Sequence, residues 1–134
     1  MNVVLETFAI EAGADQDKVI LLGNTKNIAW HYNNAKVFAF TSIFEGFPNA
    51  LIEAMHFGLP CISTDCPTGP SELINNGENG FLIPENNETL FTNKLKDLMY
   101  DATLYQSISE SGQLFAAEYD IKVYADRLIN IYKN

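Results

Sequence analysis

Glu45 and Glu53 are two carboxylates separated by seven residues, and between them lie a glycine, a proline and the start of an apolar run, Ala50-Leu51-Ile52. Glycine lets a backbone come close to a ligand. Pro48 suits the first position of a helix, where its missing N–H would be unpaired anyway. The free N–H groups at such a start attract anions. At about 100° per residue, only the sector of Glu53 and His56 on the following helix is polar. A carboxylate on so apolar a helix faces either a polar cleft or a hydroxyl-rich ligand, since burial without a partner costs several kcal/mol. A solvent-facing glutamate on a helix edge is the other reading of the spacing.

Alternating elements must position these residues. The pattern predicts a helix over 3–12, a strand over 18–23 with its core at 19–22, a short helix over 27–34 and a strand over 36–41. Helix 49–57, strand 60–64, helix 70–75 and strand 80–83 follow. Strands separated by helices indicate an α/β fold with a parallel sheet and right-handed crossovers. Such sheets bind ligands at their strand ends, and Ser42 to Phe47 lies just past one. The tail is helical: Asn87-Glu88-Thr89 caps a helix running to about Tyr100, a second helix spans about 101–117, and a third runs from Ile121 to Tyr132. No internal repeat or low-complexity segment is visible.

Ser42, the run EGFPNALIEAM at 45–55, GLPCISTD at 58–65, GPSELI at 69–74 and NGFLIP at 79–84 occur in an order that resembles the donor-binding half of the retaining GT-B glycosyltransferases of family 4, the glycosyl transferases group 1. The resemblance spans roughly residues 17 to 132. It implies a Rossmann-like parallel sheet with flanking helices, and an enzyme moving a sugar from a nucleotide-diphosphate donor to an acceptor hydroxyl with retention. Glu45 would contact hydroxyls of the transferred sugar. Backbone N–H groups around Gly46, Phe47, Pro48 and Asn49 (Pro48 itself has none) would receive sugar or phosphate oxygens, and Glu53 would accept from the ribose hydroxyls. Gly23, Asn24 and Thr25 would lie near the nucleobase. Thr68 and Gly69 form a loop with two readings: near the donor, or starting a helix with Thr68 or Ser71 as cap. Glu72 reads as structural, pairing with the start of that helix. The variant Cys66 to Glu72 is similar to members that build bacterial surface glycans from UDP-linked sugars.

The resemblance also implies what this stretch lacks. A full member has an N-terminal acceptor domain, and its donor domain begins with two strands carrying an Arg or Lys pair that grips the diphosphate. The sequence is therefore expected to be a single partial donor domain over 1–134, with a core at 17–84 and a helical segment at 85–134, inactive alone. Strands 19–22 and 37–41 would be the third and fourth in the order 3-2-1-4-5-6. With the first two strands missing, the sheet is expected to show an exposed edge, a direct pairing of those two, or a partner filling the gap. Self-association through that edge or the last helix is a corollary, as is peripheral membrane association of the longer parent. Family members work without a metal, so no cofactor beyond the donor, expected to be UDP-linked, is implied. A nucleotide-sugar binding module, an inactive remnant and a non-transferring relative such as a UDP-sugar epimerase are the alternatives.

Composition narrows the class further. The chain has 134 residues, 47% of them hydrophobic, and a net charge of −9, which suits one domain and argues against nucleic acid, whose phosphates need clustered cations. Residues 1 to 84 carry Lys18, Lys26 and Lys36 and no Arg. No apolar run is long enough to span a bilayer, and the first residues lack a secretory pattern, so a cytoplasmic location is expected. Cys61 and Cys66 are too few for a zinc site without well-spaced histidines, and they, His31 and His56 read as structural. No Ser-His-Asp or Cys-His arrangement suggests a protein nucleophile.

Overall fold

The computed structural model describes Ile20 and residues 22–132. The chain divides into two units, Met1–His31 and Tyr32–Asn134. In the first, Gly23 adopts φ +61°, the Thr25 hydroxyl accepts the Asn27 N–H at 3.1 Å, and helix α1 (Ile28–Asn34) begins and continues across the division. The helix expected over 3–12 lies outside the described residues. The expected strand over 18–23 is corrected in its described part: Ile20, Leu22 and Gly23 belong to no strand. Ile20 and Leu22 are exposed, because an extended segment buries its side chains and pairs its amides only when a neighbouring strand completes the ladder.

The second unit is built on strands β1 (Phe38–Phe40), β2 (Cys61–Thr64) and β3 (Phe81–Ile83). Both pairings are parallel, in the order β1-β2-β3, with Ala39 opposite Ile62 and Ser63 opposite Leu82. Among the described residues β1 is an edge strand, and Ala39 on it is exposed. Helices α2 (Asn49–His56) and α3 (Pro70–Leu73) form the crossovers, and α4 (Glu88–Tyr100) and α5 (Ala102–Tyr132) follow the last strand.

Side chains alternate across a strand, and here each set meets its own helices. Cys61, with Phe38, Phe40 and Leu82, packs under Leu51, Ile52 and Met55 of α2 and Ala116 of α5. On the opposite face Ile62, Phe81 and Ile83 meet Leu98 of α4 and Ile108 of α5. The wheel expected for α2 holds: Leu51, Ile52, Ala54 and Met55 are buried while Glu53 is exposed and His56 half-buried. Both cysteines are free and buried, and burial pushes the Cys61 thiol up.

The two tail helices expected over 101–117 and 121–132 are one continuous helix, α5. Residues 117–121 contain neither Gly nor Pro, so nothing local breaks it, and Asp120 in that stretch reaches His56 at 2.6 Å. Two more contacts tie α5 to the end of α2. Ser109 Oγ donates to the Gly58 carbonyl at 2.6 Å and Gln113 Nε2 to the His56 carbonyl at 3.1 Å. Gly112 permits the close approach, since a Cβ there would meet the Asn79 carbonyl at 3.2 Å. Asn79 itself is buried and closes α3, accepting the Asn75 N–H at 2.7 Å and donating to the Leu73 carbonyl at 3.0 Å.

Candidate functional site

Two loops meet at the carboxyl ends of β1 and β2. The chain leaving β1 turns at Ser42, whose Oγ donates to Glu45 Oε1 at 2.6 Å. The chain leaving β2 braces that turn twice: Thr64 Oγ1 donates to the Ser42 carbonyl at 2.7 Å and Thr68 Oγ1 to the Glu45 carbonyl. Glu45 is thus half-buried with one carboxylate oxygen held by Ser42 and the other without a described partner. Gly69 is seated against the same turn. It adopts φ +99°, and a Cβ there would lie 2.9 Å from Pro48 Cδ and 3.2 Å from the Gly46 carbonyl. The parallel register places β1 and β2 side by side, which is why residues more than twenty positions apart form one floor.

Helix α2 rises from that floor. Pro48 is its N-cap, with φ −83° and ψ 75°, so it lies one residue outside the first helical position expected from the sequence. These angles are those of an inverse γ-turn, and the Asn49 N–H accordingly donates to the Phe47 carbonyl at 3.0 Å. That corrects one expected donor, for the Asn49 amide is turned back onto the loop. No side chain caps the helix, and the Gly46, Phe47 and Ala50 N–H groups have no acceptor among the described residues. An uncapped start of this kind favours negative charge. The Phe47 ring is fixed by α5, stacking on Tyr119 at 5.9 Å and 21°.

Glu53 points outward from α2 and its Oε2 accepts the hydroxyl of Tyr32 at 3.3 Å. Tyr32 is buried, and its phenol is pushed up to about 12, first by burial and then by the charge of Glu53 and the hydrogen bond to it. A phenol whose pKa is higher folded than unfolded contributes stability that is complete below about pH 10 and disappears as pH rises through the folded value. Urea midpoints measured from pH 9 to 12 are therefore expected to fall above about pH 10, less steeply in Tyr32→Phe. Cys61, raised in the same direction, supplies part of the remaining slope.

The Thr68-Gly69 loop leads directly into α3. Neither Thr68 nor Ser71 caps α3, whose N-cap is Gly69 with Pro70 directly following, so the Thr68 hydroxyl serves the Glu45 turn instead. Glu72 stands exposed in the first turn of α3. Gly23, Asn24 and Thr25 belong to the first unit. The parts brought together are the Glu45 turn, the α2 start, Glu53 and the Thr68-Gly69 loop. Thr64, which braces the Ser42 turn, also lines a cleft of about 420 Å³ with Thr41 and Ile83 at the strand ends and Asn86, Asn87 and Phe91 at the start of α4. Two members of this arrangement, Thr64 and Tyr32, carried no sequence signal, because each acts through a partner 21 or 22 residues away.

The site can hold an anion at the helix start and hydroxyl groups at two carboxylates, and it draws on backbone donors more than on cations. Among the described residues no group of three or more His, Cys, Asp or Glu is arranged to hold a metal ion, and no helix is long and apolar enough to cross a membrane.

Residues 5–115 match the sequence family described as glycosyl transferases group 1. The amylovoran biosynthesis glycosyltransferase AmsD of Erwinia amylovora is 32% identical over 104 residues, 78% of this chain and 29% of that protein. The N-acetylgalactosamine-N,N'-diacetylbacillosaminyl-diphospho-undecaprenol 4-alpha-N-acetylgalactosaminyltransferase of Campylobacter jejuni is 32% identical over 114 residues, 84% of this chain and 31% of that one. Among solved structures, Alr3699/HepE of Anabaena in complex with UDP-glucose superposes with a TM-score of 0.79 at 25% identity, over 87% of this chain and 32% of that one. The chain spans about a third of the length of the curated relatives it matches. Its helix-flanked parallel sheet is that of the C-terminal domain of GT-B glycosyltransferases.

Proposed function

Since the chain belongs to the glycosyl transferases group 1 family, we propose that it forms the donor-binding part of a retaining, family 4 type transferase that uses a nucleotide-diphosphate sugar in glycan or surface polysaccharide biosynthesis. The observation that carries this reading is the Glu45 turn, braced by Ser42 and Thr68, set against the uncapped start of α2. The diphosphate sits at the free N–H groups of Gly46, Phe47 and Ala50, where the helix dipole favours it. The free oxygen of Glu45 accepts sugar hydroxyls, and Glu53 accepts the ribose hydroxyls. A uridine donor is favoured by the UDP-glucose bound to the Anabaena relative. The amylovoran and undecaprenol-linked relatives support an acceptor hydroxyl on a glycan or its lipid-linked precursor.

In the reaction the bond between the anomeric carbon and the diphosphate oxygen breaks, its electron pair leaving with the diphosphate. The acceptor oxygen bonds to the anomeric carbon on the same face, and its proton passes to the departing phosphate oxygen. Donors aimed at that oxygen lower the barrier because charge develops there. No resident metal has a part in this scheme.

Calorimetric titration with UDP, GDP, ADP and their sugars tests the reading. Saturable UDP binding is expected, weakened about tenfold or more in Glu53→Ala through loss of hydrogen bonds to a charged acceptor. A well-folded chain that binds none of these nucleotides would sink it.

A further inference from the structure

We propose that Tyr32 is the positioning residue of the Glu53 carboxylate, holding one of its oxygens so that the rest of the group is presented to a vicinal diol. This rests on the donor-binding reading above and goes beyond it in assigning a residue outside the 45–55 run. Tyr32 is only 6% exposed, and its ring is clamped between Phe38, edge-on at 5.9 Å, and Phe57, tilted at 5.3 Å. Packing on both sides leaves the hydroxyl little choice of direction. It points at the open side of α2, where its one proton is shared between Glu53 Oε2 at 3.3 Å and the Ala50 carbonyl at 3.4 Å.

An exposed glutamate on a helix otherwise samples several rotamers, and a ligand must order it on binding. The Tyr32 hydroxyl does that ordering beforehand. It is the one side-chain donor to Glu53 among the described residues, because His56, a turn further along α2, is engaged by Asp120 at 2.6 Å. The arrangement leaves binding capacity unspent. An ionised carboxylate has about four lone-pair sites. One is taken by Tyr32, and a diol needs two of those remaining. The phenol stays protonated well into the alkaline range, so it remains a hydrogen-bond donor there.

The test compares uridine diphosphate with its 2′,3′-dideoxy analogue, titrated calorimetrically into the native chain and into Tyr32→Phe. The substitution keeps the ring and its contacts with Phe38 and Phe57 and removes only the hydroxyl. UDP affinity is expected to fall about fivefold to tenfold, and affinity for the dideoxy analogue to change by less than about twofold, because that ligand makes no demand on Glu53. In a Glu53→Ala background Tyr32→Phe is expected to have no further effect on UDP. Equal losses for both nucleotides, an undiminished UDP affinity, or a further loss in the Glu53→Ala background would each overturn the proposal. Native chain that binds UDP alongside an unaffected Tyr32→Phe refutes this assignment alone. Native chain that binds no nucleotide refutes the donor site and the assignment with it.

Discussion

Gly69→Ala is expected to lower the unfolding free energy by about 3 kcal/mol, combining backbone strain with an overpacked contact. The residue adopts φ +99° and ψ −74°, conformations that a Cβ disfavours. The added methyl would also sit 2.9 Å from Pro48 Cδ. Pro48 is fully buried and caps α2, so its ring cannot simply move aside. Either the Thr68 loop backs away or the Glu45 turn does, and either movement stretches the Thr68 hydrogen bond to the Glu45 carbonyl. Nucleotide binding is therefore expected to weaken in parallel. Gly77→Ala is the control. Gly77 has φ +83° but open space where its Cβ would go, so it carries strain without a clash and should cost only about 1 kcal/mol. Urea denaturation of both variants separates the two terms, and equal losses would show that the contact with Pro48 is immaterial.

Leu51→Ala is expected to cost a further class of energy, about 3 kcal/mol from lost burial and an unfilled cavity. Leu51 is completely buried between the sheet and α5, in the cluster that includes Met55, Cys61 and Ala116. Two residues along the same helix, Glu53→Ala is expected to change stability by less than about 1 kcal/mol, because an exposed side chain loses little on truncation. The Tyr32 hydroxyl released by that change keeps the Ala50 carbonyl as an acceptor. The pair thus separates the two faces of α2. Thermal and urea midpoints should fall sharply for Leu51→Ala and hardly at all for Glu53→Ala, while calorimetry should show the larger specific loss of UDP affinity in Glu53→Ala. A large stability loss in Glu53→Ala would mark that glutamate as a structural residue.

The elements of the second unit were legible because their signals are local. Alternating apolar strands and helical periodicity placed β1, β2, β3, α2 and α4 to within two residues at each end. Pro48 and Gly69 marked the turns, although the inverse γ-turn moved Pro48 outside α2 and the Thr68 hydroxyl went to the Glu45 carbonyl instead of a cap. The tail, expected as two helices, is one because residues 117–121 contain no Gly or Pro to break it.

From the sequence by itself came the chemistry of the individual groups: two carboxylates, a run of amides opened by Gly46, and an apolar helix with one polar edge. Each of these depends on residues that are neighbours along the chain or one helical turn apart. The tertiary structure decided which groups cooperate. Parallel pairing of β1 with β2 brings Thr64 to the Ser42 carbonyl, the crossover brings Gly69 against Pro48, and burial of the Tyr32 ring brings its hydroxyl to Glu53. Those contacts are set by strand register and by the direction in which a clamped ring points, and neither leaves a periodic trace in the sequence.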